Sequence, residues 1–96
     1  MRKAKANYES LFQEALRLVL DVASYAYYVK ADNIIDDLAF DSLEKLWKKY
    51  SGQNEYPMRG KEDGEDYPKS IVIIYHQIER ITELKKLEQL EKEGEK

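Results

Sequence analysis

Cysteine is absent from this sequence of 96 residues, and histidine occurs only once. Without cysteine the chain has neither a disulfide framework nor a thiolate metal site, and one histidine cannot build a zinc centre alone. We therefore expect a protein without a bound metal. A cytoplasmic location fits the lack of disulfides.

Long apolar runs are absent too, since none approaches the roughly 20 residues of a membrane-spanning helix. The basic start, Met-Arg-Lys-Ala-Lys-Ala, is followed by polar residues instead of the apolar core of a signal peptide. The net charge is −3 with both signs interspersed, so the one-sided basic surface used against phosphate backbones is lacking. We expect neither a membrane protein nor a sequence-specific nucleic-acid binder.

Glycine and proline are scarce, with four and two residues, while 36% of the residues are charged. That composition favours charged helices around a modest core. The length suits a single domain over residues 1–96. The predicted fold class is all-α: a small bundle of about three helices, in which a helical hairpin (residues 7–29 and 37–50) precedes a long C-terminal helix (residues 68–93).

The first helix of the hairpin is predicted from apolar positions at three- and four-residue spacing. These positions are Leu11, Phe12, Ala15, Leu16, Val19, Val22, Ala23 and Ala26. Asn7 is placed to cap the helix, since its side-chain oxygen can accept a hydrogen bond from a free amide of the first turn. Near the other end, Tyr25, Tyr27 and Tyr28 cannot all face the core, because residues two apart point in nearly opposite directions. At least one of them is expected to be exposed or to line a cleft.

The second helix, residues 37–50, has Asp36 as its predicted N-cap and ends before Gly52. Its inward face is predicted to carry Leu38, Leu43, Leu46, Trp47 and Tyr50. Residues 30–35, between the two helices, have no helical period. They place an aspartate and an asparagine in the middle, where short polar side chains favour a turn.

Residues 51–67 hold three of the four glycines and several acids, which predicts a loop. The third helix, residues 68–93, follows from isoleucines and leucines three or four residues apart. The stretch from Ile71 to Tyr75 is β-branched and could be a short strand, but no partner strand is evident. The first half of this helix should cover the hairpin. Its end, residues 84–96, is rich in Glu and Lys and is expected to project, to fray or to pair with a partner helix.

Asp37 and Asp41 stand one helical turn apart, so both carboxylates share a face of the second helix, with Phe40 beside them. One interpretation is ordinary: helix starts are rich in acids, and the pair is then a helix-start residue and a solvated carboxylate. The other interpretation is a binding site formed together with Tyr27 and Tyr28, at the end of the preceding helix.

The same residues resemble the hallmark of a known domain. In the small N-terminal Ia domain of bacterial NAD-dependent DNA ligases, the hallmark is approximately Tyr-[His/Tyr]-Val, seven variable residues, then Asp-x-x-Tyr-Asp. Without a gap, it matches Tyr27, Tyr28, Val29, the apolar loop position Ile35, Asp37, Phe40 and Asp41. The resemblance covers about residues 11–50 and fades afterward.

The resemblance implies a ligand. In that family the domain holds the nicotinamide mononucleotide half of NAD, while a neighbouring domain transfers the adenylyl group to its own lysine. Carried over to this chain, Tyr27 and Phe40 would stack on the pyridinium ring. Tyr28 would reach the phosphate or ribose. Asp37 and Asp41 would offset the charge of the ring or accept hydrogen bonds from the carboxamide and ribose hydroxyls.

This chain departs from the family pattern at three positions. Ala31 stands where the family usually has aspartate, and Asn33 where it usually has proline. The neighbouring Asp32 is not expected to point the same way as the family's aspartate. Phe40 replaces a tyrosine, which keeps the ring and loses the hydroxyl, so binding is expected to be weaker.

A second pattern from the same enzymes is interpreted as chance. Residues Lys61 to Gly64 spell Lys-x-Asp-Gly, which nucleotidyltransferases use around the adenylated lysine. The family presents that lysine beside an apolar strand in a domain of roughly 200 residues, too large for this chain. A charged loop rich in Lys, Asp and Gly produces these letters easily. A complete small ligase is not expected, and the chain is predicted not to be an enzyme.

Two hypotheses for the function remain. The first is a non-catalytic module that resembles the ligase domain and binds a pyridine nucleotide or assists a separate adenylation domain. The alternative is a small helical protein–protein interaction module, a regulator or inhibitor. It would use its surface or its C-terminal helix to bind a partner protein or a second copy of itself.

Overall fold

The three predicted helices are present. In a computed structural model, which describes the backbone of residues 2–94 and the side chains of residues 8–94, α1 spans Arg2–Ser24, α2 spans Asp37–Ser51 and α3 spans Lys69–Gly94. No strand occurs in this range, so the all-α prediction is confirmed. No helix within it combines the length and the apolar character of a membrane span.

The first helix starts earlier and ends differently than predicted. It begins at Arg2, so Asn7 is an internal helical residue and not the N-cap, while its side chain lies outside the described ones. After Ser24 the chain continues through one π-helical turn, Tyr25–Val29, in which the Lys30 N–H donates to the carbonyl of Tyr25 at 3.3 Å. The predicted end at residue 29 is therefore correct, but the last turn is wider than an α-helical turn.

Both predicted ends of α2 are confirmed. The carboxylate of Asp36 accepts a hydrogen bond from the Ala39 N–H at 2.7 Å, which satisfies one of the free amides of the first turn. At the other end Gly52 adopts a left-handed φ of 74°, and its N–H donates to the carbonyl of Lys48 at 2.9 Å. Glycine takes this conformation at little cost, so it stops the helix there.

The core lies under the second half of α1. Of the predicted stripe, Leu16, Val22, Ala23 and Ala26 are buried, together with Leu20, which the stripe did not include. The prediction was wrong for Leu11, Phe12, Ala15 and Val19, which are exposed. At the end of α2, the ring of Phe12 meets that of Tyr50, with 5.3 Å between centroids, but this contact leaves Phe12 37% exposed.

On α2 the inward face is narrower than predicted. Trp47 is almost fully buried, and Leu43 and Leu46 are partly buried. Leu38, however, is 80% exposed, and Tyr50 is exposed as well. Leu38 and Trp47 are nine residues apart, which places them on opposite sides of the helix, about 180° from each other. The inward prediction for Leu38 and Tyr50 was therefore wrong. A carboxylate, Glu44, takes part of the buried face instead.

The connecting segment, residues 52–68, joins α2 to α3. It contains one 3-10 turn at Gly64–Asp66 and no longer helix. It nevertheless contributes to the core, because Tyr56, Met58 and Tyr67 are buried. The sequence pattern predicted the loop but gave no indication of this burial.

A buried hydrogen-bond network holds the connecting segment against α1. The hydroxyl of Tyr56 donates to Asp21 Oδ1 and accepts from Ser24 Oγ at 3.3 Å. Arg17 Nε donates to the same Asp21 oxygen at 2.9 Å, and its guanidinium lies 5.5 Å from the centroid of the Trp47 ring. The pKa of Tyr56 is raised above its usual value, mainly by burial and secondly by the bond to Asp21. Because a buried carboxylate without partners is costly, these bonds explain how Asp21 is accommodated in the core.

Only the first turns of α3 pack against the rest of the molecule. Ile71 and Tyr75 are buried, and the rings of Tyr75 and Tyr67 each meet the ring of Tyr25 edge-on, with 5.4 Å between centroids. Beyond them lies the projecting segment, residues 76–94, in which every residue is exposed. The last two residues of the predicted C-terminal end are outside the described range.

Candidate functional site

A cavity of about 250 Å³ opens between the π-helical turn, the loop that follows it and the start of α2. All five predicted site residues line it: Tyr27, Tyr28, Asp37, Phe40 and Asp41. The loop of residues 30–36 separates the two halves of the motif in the sequence, and the helical hairpin brings them together. Arg59, from the connecting segment, completes the wall.

The π-helical turn decides where the tyrosines of the first half-motif lie. Tyr25 is buried in the core, Tyr27 is 48% exposed and Tyr28 is partly buried. The expectation that at least one of them lies outside the core is therefore confirmed. The rings of Tyr27 and Tyr28 meet edge to face, with 5.0 Å between centroids and an interplanar angle of 89°. This arrangement is a favourable one for aromatic pairs and holds both rings at the cavity wall.

The start of α2 supplies the acidic wall. Since Asp36 is the residue that caps the helix, Asp37 is free of that role and lines the cavity. Asp41 lies one turn further on, and its side chain is 55% exposed. Phe40 is partly buried, and its ring packs against that of Tyr56, with 6.1 Å between centroids. The aromatic part of this wall is therefore anchored to the core, while the two carboxylates remain open to solvent.

The loop between the helices is held from the side of α3. Ala31 has a left-handed φ of 52°, which is uncommon for a residue with a side chain. After it, the Asp32 N–H donates to the carbonyl of Ala26 at 2.8 Å, and the Asp32 carboxylate accepts from the hydroxyl of Tyr75 at 2.8 Å. The pKa of Tyr75 is raised to about 12, mainly by burial and secondly by this bond to Asp32. Asp32 is thus engaged with α3, and the next three residues, Asn33, Ile34 and Ile35, line the cavity.

Arg59 is the site residue that sequence reasoning missed. Its Nη1 donates to Glu44 Oε1 and lies 3.9 Å from Asp41 Oδ1. No sequence signal singles it out, because it belongs to a segment without periodicity and is distant from the motif. The nearest sequence signal is the following residue, Gly60, since glycine is typical of turns. The structure does place a turn there, with a φ of 79° at Gly60, but a basic residue beside a turn glycine is a common arrangement on protein surfaces.

The pairing with Glu44 fixes Arg59 to α2. Glu44 is buried, and its second oxygen, Oε2, lies 3.0 Å from Lys48 Nζ. Burial raises the pKa of Glu44, but the hydrogen bonds from Lys48 and Arg59 outweigh it, so its pKa lies below the usual value. The carboxylate is therefore ionised at neutral pH, and it tethers the connecting segment to α2 beside the cavity.

Lys61, the lysine of the Lys-x-Asp-Gly pattern, is exposed and does not line the cavity. The other letters of the pattern have local structural roles. The Asp63 carboxylate accepts from the Glu65 N–H at 2.9 Å and so begins the 3-10 turn, whose first residue is Gly64. The backbone carbonyl of Lys61 accepts from the hydroxyl of Tyr67 at 2.8 Å. Asp63 and Gly64 therefore belong to a turn.

Comparison with protein-family models, with curated proteins and with solved structures found no match for this chain. Among the residues that the structure describes, no group of three or more His, Cys, Asp or Glu is arranged to hold a metal ion.

Proposed function

We propose that this chain is a non-catalytic module that binds a pyridine nucleotide, either nicotinamide mononucleotide or the corresponding half of NAD. The observation that carries the proposal is that one cavity is lined by the whole set predicted from the motif: Tyr27, Tyr28, Asp37, Phe40 and Asp41. Any helical hairpin brings the ends of its helices together, but only side chains on the facing sides line the same cavity.

The chemistry of these residues suits a pyridinium ring, which is flat and positively charged. Aromatic faces attract a cation through the negative charge of their π-systems, and Tyr27 and Phe40 are aromatic residues that line the cavity. The carboxylates of Asp37 and Asp41 offset the positive charge and can accept hydrogen bonds from a carboxamide or from ribose hydroxyls. Because the acids are partly solvated, the site needs no costly burial of charge before the ligand arrives.

The size of the cavity favours a small ligand. Ligand pockets usually measure about 300 to 1,000 Å³, and this one, at about 250 Å³, lies just below that range. We infer that it takes the mononucleotide part of NAD and leaves the adenylate part outside. Phe40 has no hydroxyl to donate, so the affinity is expected to be lower than that of a site with tyrosine at this position.

A binding role without chemistry also agrees with the position of Lys61. This lysine lies outside the cavity, so the pattern around it adds no nucleophile to the site. The proposed role is to hold the nicotinamide half of NAD, either alone or beside a separate domain that carries out adenylyl transfer.

Isothermal titration calorimetry with nicotinamide mononucleotide and NAD tests the proposal. We expect measurable heat at submillimolar ligand for the unchanged chain and a loss of affinity of about tenfold for Asp37→Asn, because a charge-assisted contact is worth about 1.5 kcal/mol or more. Asp66→Asn is the matched control: it removes the same charge from an exposed residue outside the cavity. No heat at millimolar ligand from a chain with an intact helical spectrum would exclude the proposal.

The alternative function, a protein interaction module, is favoured by one observation. Five large apolar side chains of the projecting segment are exposed: Ile78, Ile81, Leu84, Leu87 and Leu90. These residues recur every third position, so the stripe turns by about 60° per step around the helix. A straight partner helix would cover only part of it.

Light scattering over a range of concentrations tests this alternative. A dimer that is lost when the chain is cut after Glu83 would support self-association through the projecting segment. A monomer at every concentration would contradict self-association through the projecting segment.

A further inference from the structure

The resemblance does not account for Arg59, the one cationic side chain among the described residues that line the cavity. We propose that Arg59 is a specificity-determining residue that binds the phosphate of the ligand, so the site prefers a pyridine mononucleotide to the riboside that lacks the phosphate. This inference rests on the proposed function and assigns the anionic end of the same site.

Arg59 retains donors for a ligand. Its side chain is 53% exposed, and its contacts with Glu44 and Asp41 both use the nitrogen Nη1. An arginine carries five N–H donors in a planar fork, so the rest of the guanidinium remains available at the cavity wall. Planar forks of this kind bind phosphate oxygens through two parallel hydrogen bonds.

Among the described charged side chains that line the cavity, Arg59 is the one that attracts a phosphate. Asp37 and Asp41 attract a pyridinium ring but repel a phosphate. Glu44 raises the pKa of Arg59 above its usual value, so the guanidinium is a permanent cation. Arg59 and Tyr28 both line the cavity, so a phosphate that contacts both would be held by a cation and by a hydroxyl donor.

The backbone that carries Arg59 is held before a ligand arrives. Met58, on one side of it, is buried in the core. The Arg59 N–H donates to the carbonyl of Tyr56 at 3.3 Å, and the Lys61 N–H donates to the carbonyl of Met58 at 3.1 Å. With Nη1 bound to Glu44 as well, the guanidinium loses little freedom when it binds an anion, which lowers the entropic cost of binding.

A purely structural role is the competing explanation. In that case Arg59 only ties the connecting segment to α2 through Glu44, and its loss would lower stability without changing ligand preference. The two explanations predict different ratios between the affinity for the mononucleotide and the affinity for the riboside. A change in overall stability does not alter this ratio.

The experiment compares nicotinamide mononucleotide with nicotinamide riboside by calorimetry on the unchanged chain, on Arg59→Gln and on Lys61→Gln. We expect the unchanged chain to bind the mononucleotide about tenfold or more tightly than the riboside, since hydrogen bonds between charged groups are the strong ones. In Arg59→Gln the ratio should fall to about threefold or less. Lys61→Gln removes the same charge two residues away, from a side chain outside the cavity, and should keep the full ratio.

Folding is monitored by circular dichroism, and Arg59→Gln is expected to fold because Glu44 keeps Lys48 as a partner at 3.0 Å. Arg59→Lys, which keeps the charge and loses the planar fork, should give an intermediate ratio. Equal affinities for the two ligands in the unchanged chain, or an unchanged ratio in Arg59→Gln, would overturn this inference and leave the proposed function standing. No binding of either ligand would overturn both.

Discussion

The connecting segment and the projecting segment are opposites in regularity and in packing. The connecting segment has almost no regular secondary structure, yet it contributes three buried side chains and the cation of the candidate site. The projecting segment is an uninterrupted α-helix, yet all of its residues are exposed. Helical regularity and contribution to the folded core are therefore separate properties in this chain.

The difference has a physical origin. The helix of the projecting segment satisfies its own backbone hydrogen bonds, so it can continue into solvent without a partner. A chain without regular structure must find partners for its polar groups elsewhere, and the connecting segment finds them through Tyr56, Tyr67 and Arg59. Burial then follows from the side chains and not from the period of the backbone. The comparison predicts that equal substitutions in the two segments have very unequal effects.

The largest effect is expected for Tyr67→Ala. Tyr67 is buried against Tyr25, and truncation of a large buried ring to alanine costs about 3–5 kcal/mol. Leu87→Ala, in the projecting segment, is the matched comparison and should change the free energy of unfolding by less than about 0.5 kcal/mol. Urea denaturation followed by circular dichroism measures both. Similar losses in the two variants would show that the projecting segment contributes to stability as much as the connecting segment does.

The helices of this fold were predictable because they rest on local signals. Apolar spacing, the Asp36 cap and Gly52 define α2 from within a few residues of sequence. The burial of Tyr56 was not predictable in this way, since it depends on Asp21 and Ser24, more than thirty residues earlier. The burial of Tyr67 depends on Tyr25, against whose ring it packs. The exposure of Leu38 follows instead from its position on α2, on the side opposite the buried Trp47.

A smaller effect is expected for Tyr56→Phe, which removes one hydroxyl from the buried network. Asp21 would keep Arg17 but lose a buried donor, and leaving such a group short of a partner costs about 1–3 kcal/mol. Tyr50→Phe removes the same hydroxyl from an exposed ring and should be close to neutral. Thermal unfolding of the pair measures the difference. A neutral Tyr56→Phe would mean that the network does not hold the connecting segment.

The tether between Glu44 and Arg59 predicts a pH dependence. Because the pKa of Glu44 is lowered in the folded state from its usual value of 4.5, its contribution to stability is full above that pH and is lost as the pH falls through the folded-state pKa. The stability difference between the unchanged chain and Glu44→Gln should therefore shrink below about pH 4.5. Glu83→Gln, on the projecting segment, should show no such trend. A constant difference from pH 7 to pH 3 would contradict the tether.

The smallest effect is expected when residues 84–96 are removed. In the described part of this stretch, residues 84–94, every residue is exposed. The free energy of unfolding at low protein concentration should change by less than about 0.5 kcal/mol, while the helical signal falls in proportion to the residues removed. A large loss of stability would show that the end of α3 supports the fold, and it would remove the contrast between the two segments.

The same distinction applies to the candidate site, where the five motif residues were predictable from local sequence and Arg59 was not. Tyr27, Tyr28, Asp37, Phe40 and Asp41 lie within fifteen positions of one another, so a motif and a helical hairpin suffice to predict that they meet. Arg59 enters through the connecting segment, and its place beside Asp41 depends on the buried Glu44. A contact between segments that share no pattern is visible only in three dimensions.

Nuclear magnetic resonance mapping of the backbone amides during titration with nicotinamide mononucleotide tests directly whether the cavity binds a pyridine nucleotide. We expect concentration-dependent shifts that cluster at the five motif residues and at Arg59, with no change in the projecting segment. Shifts confined to the projecting segment, or none at millimolar ligand in a folded chain, would contradict such binding.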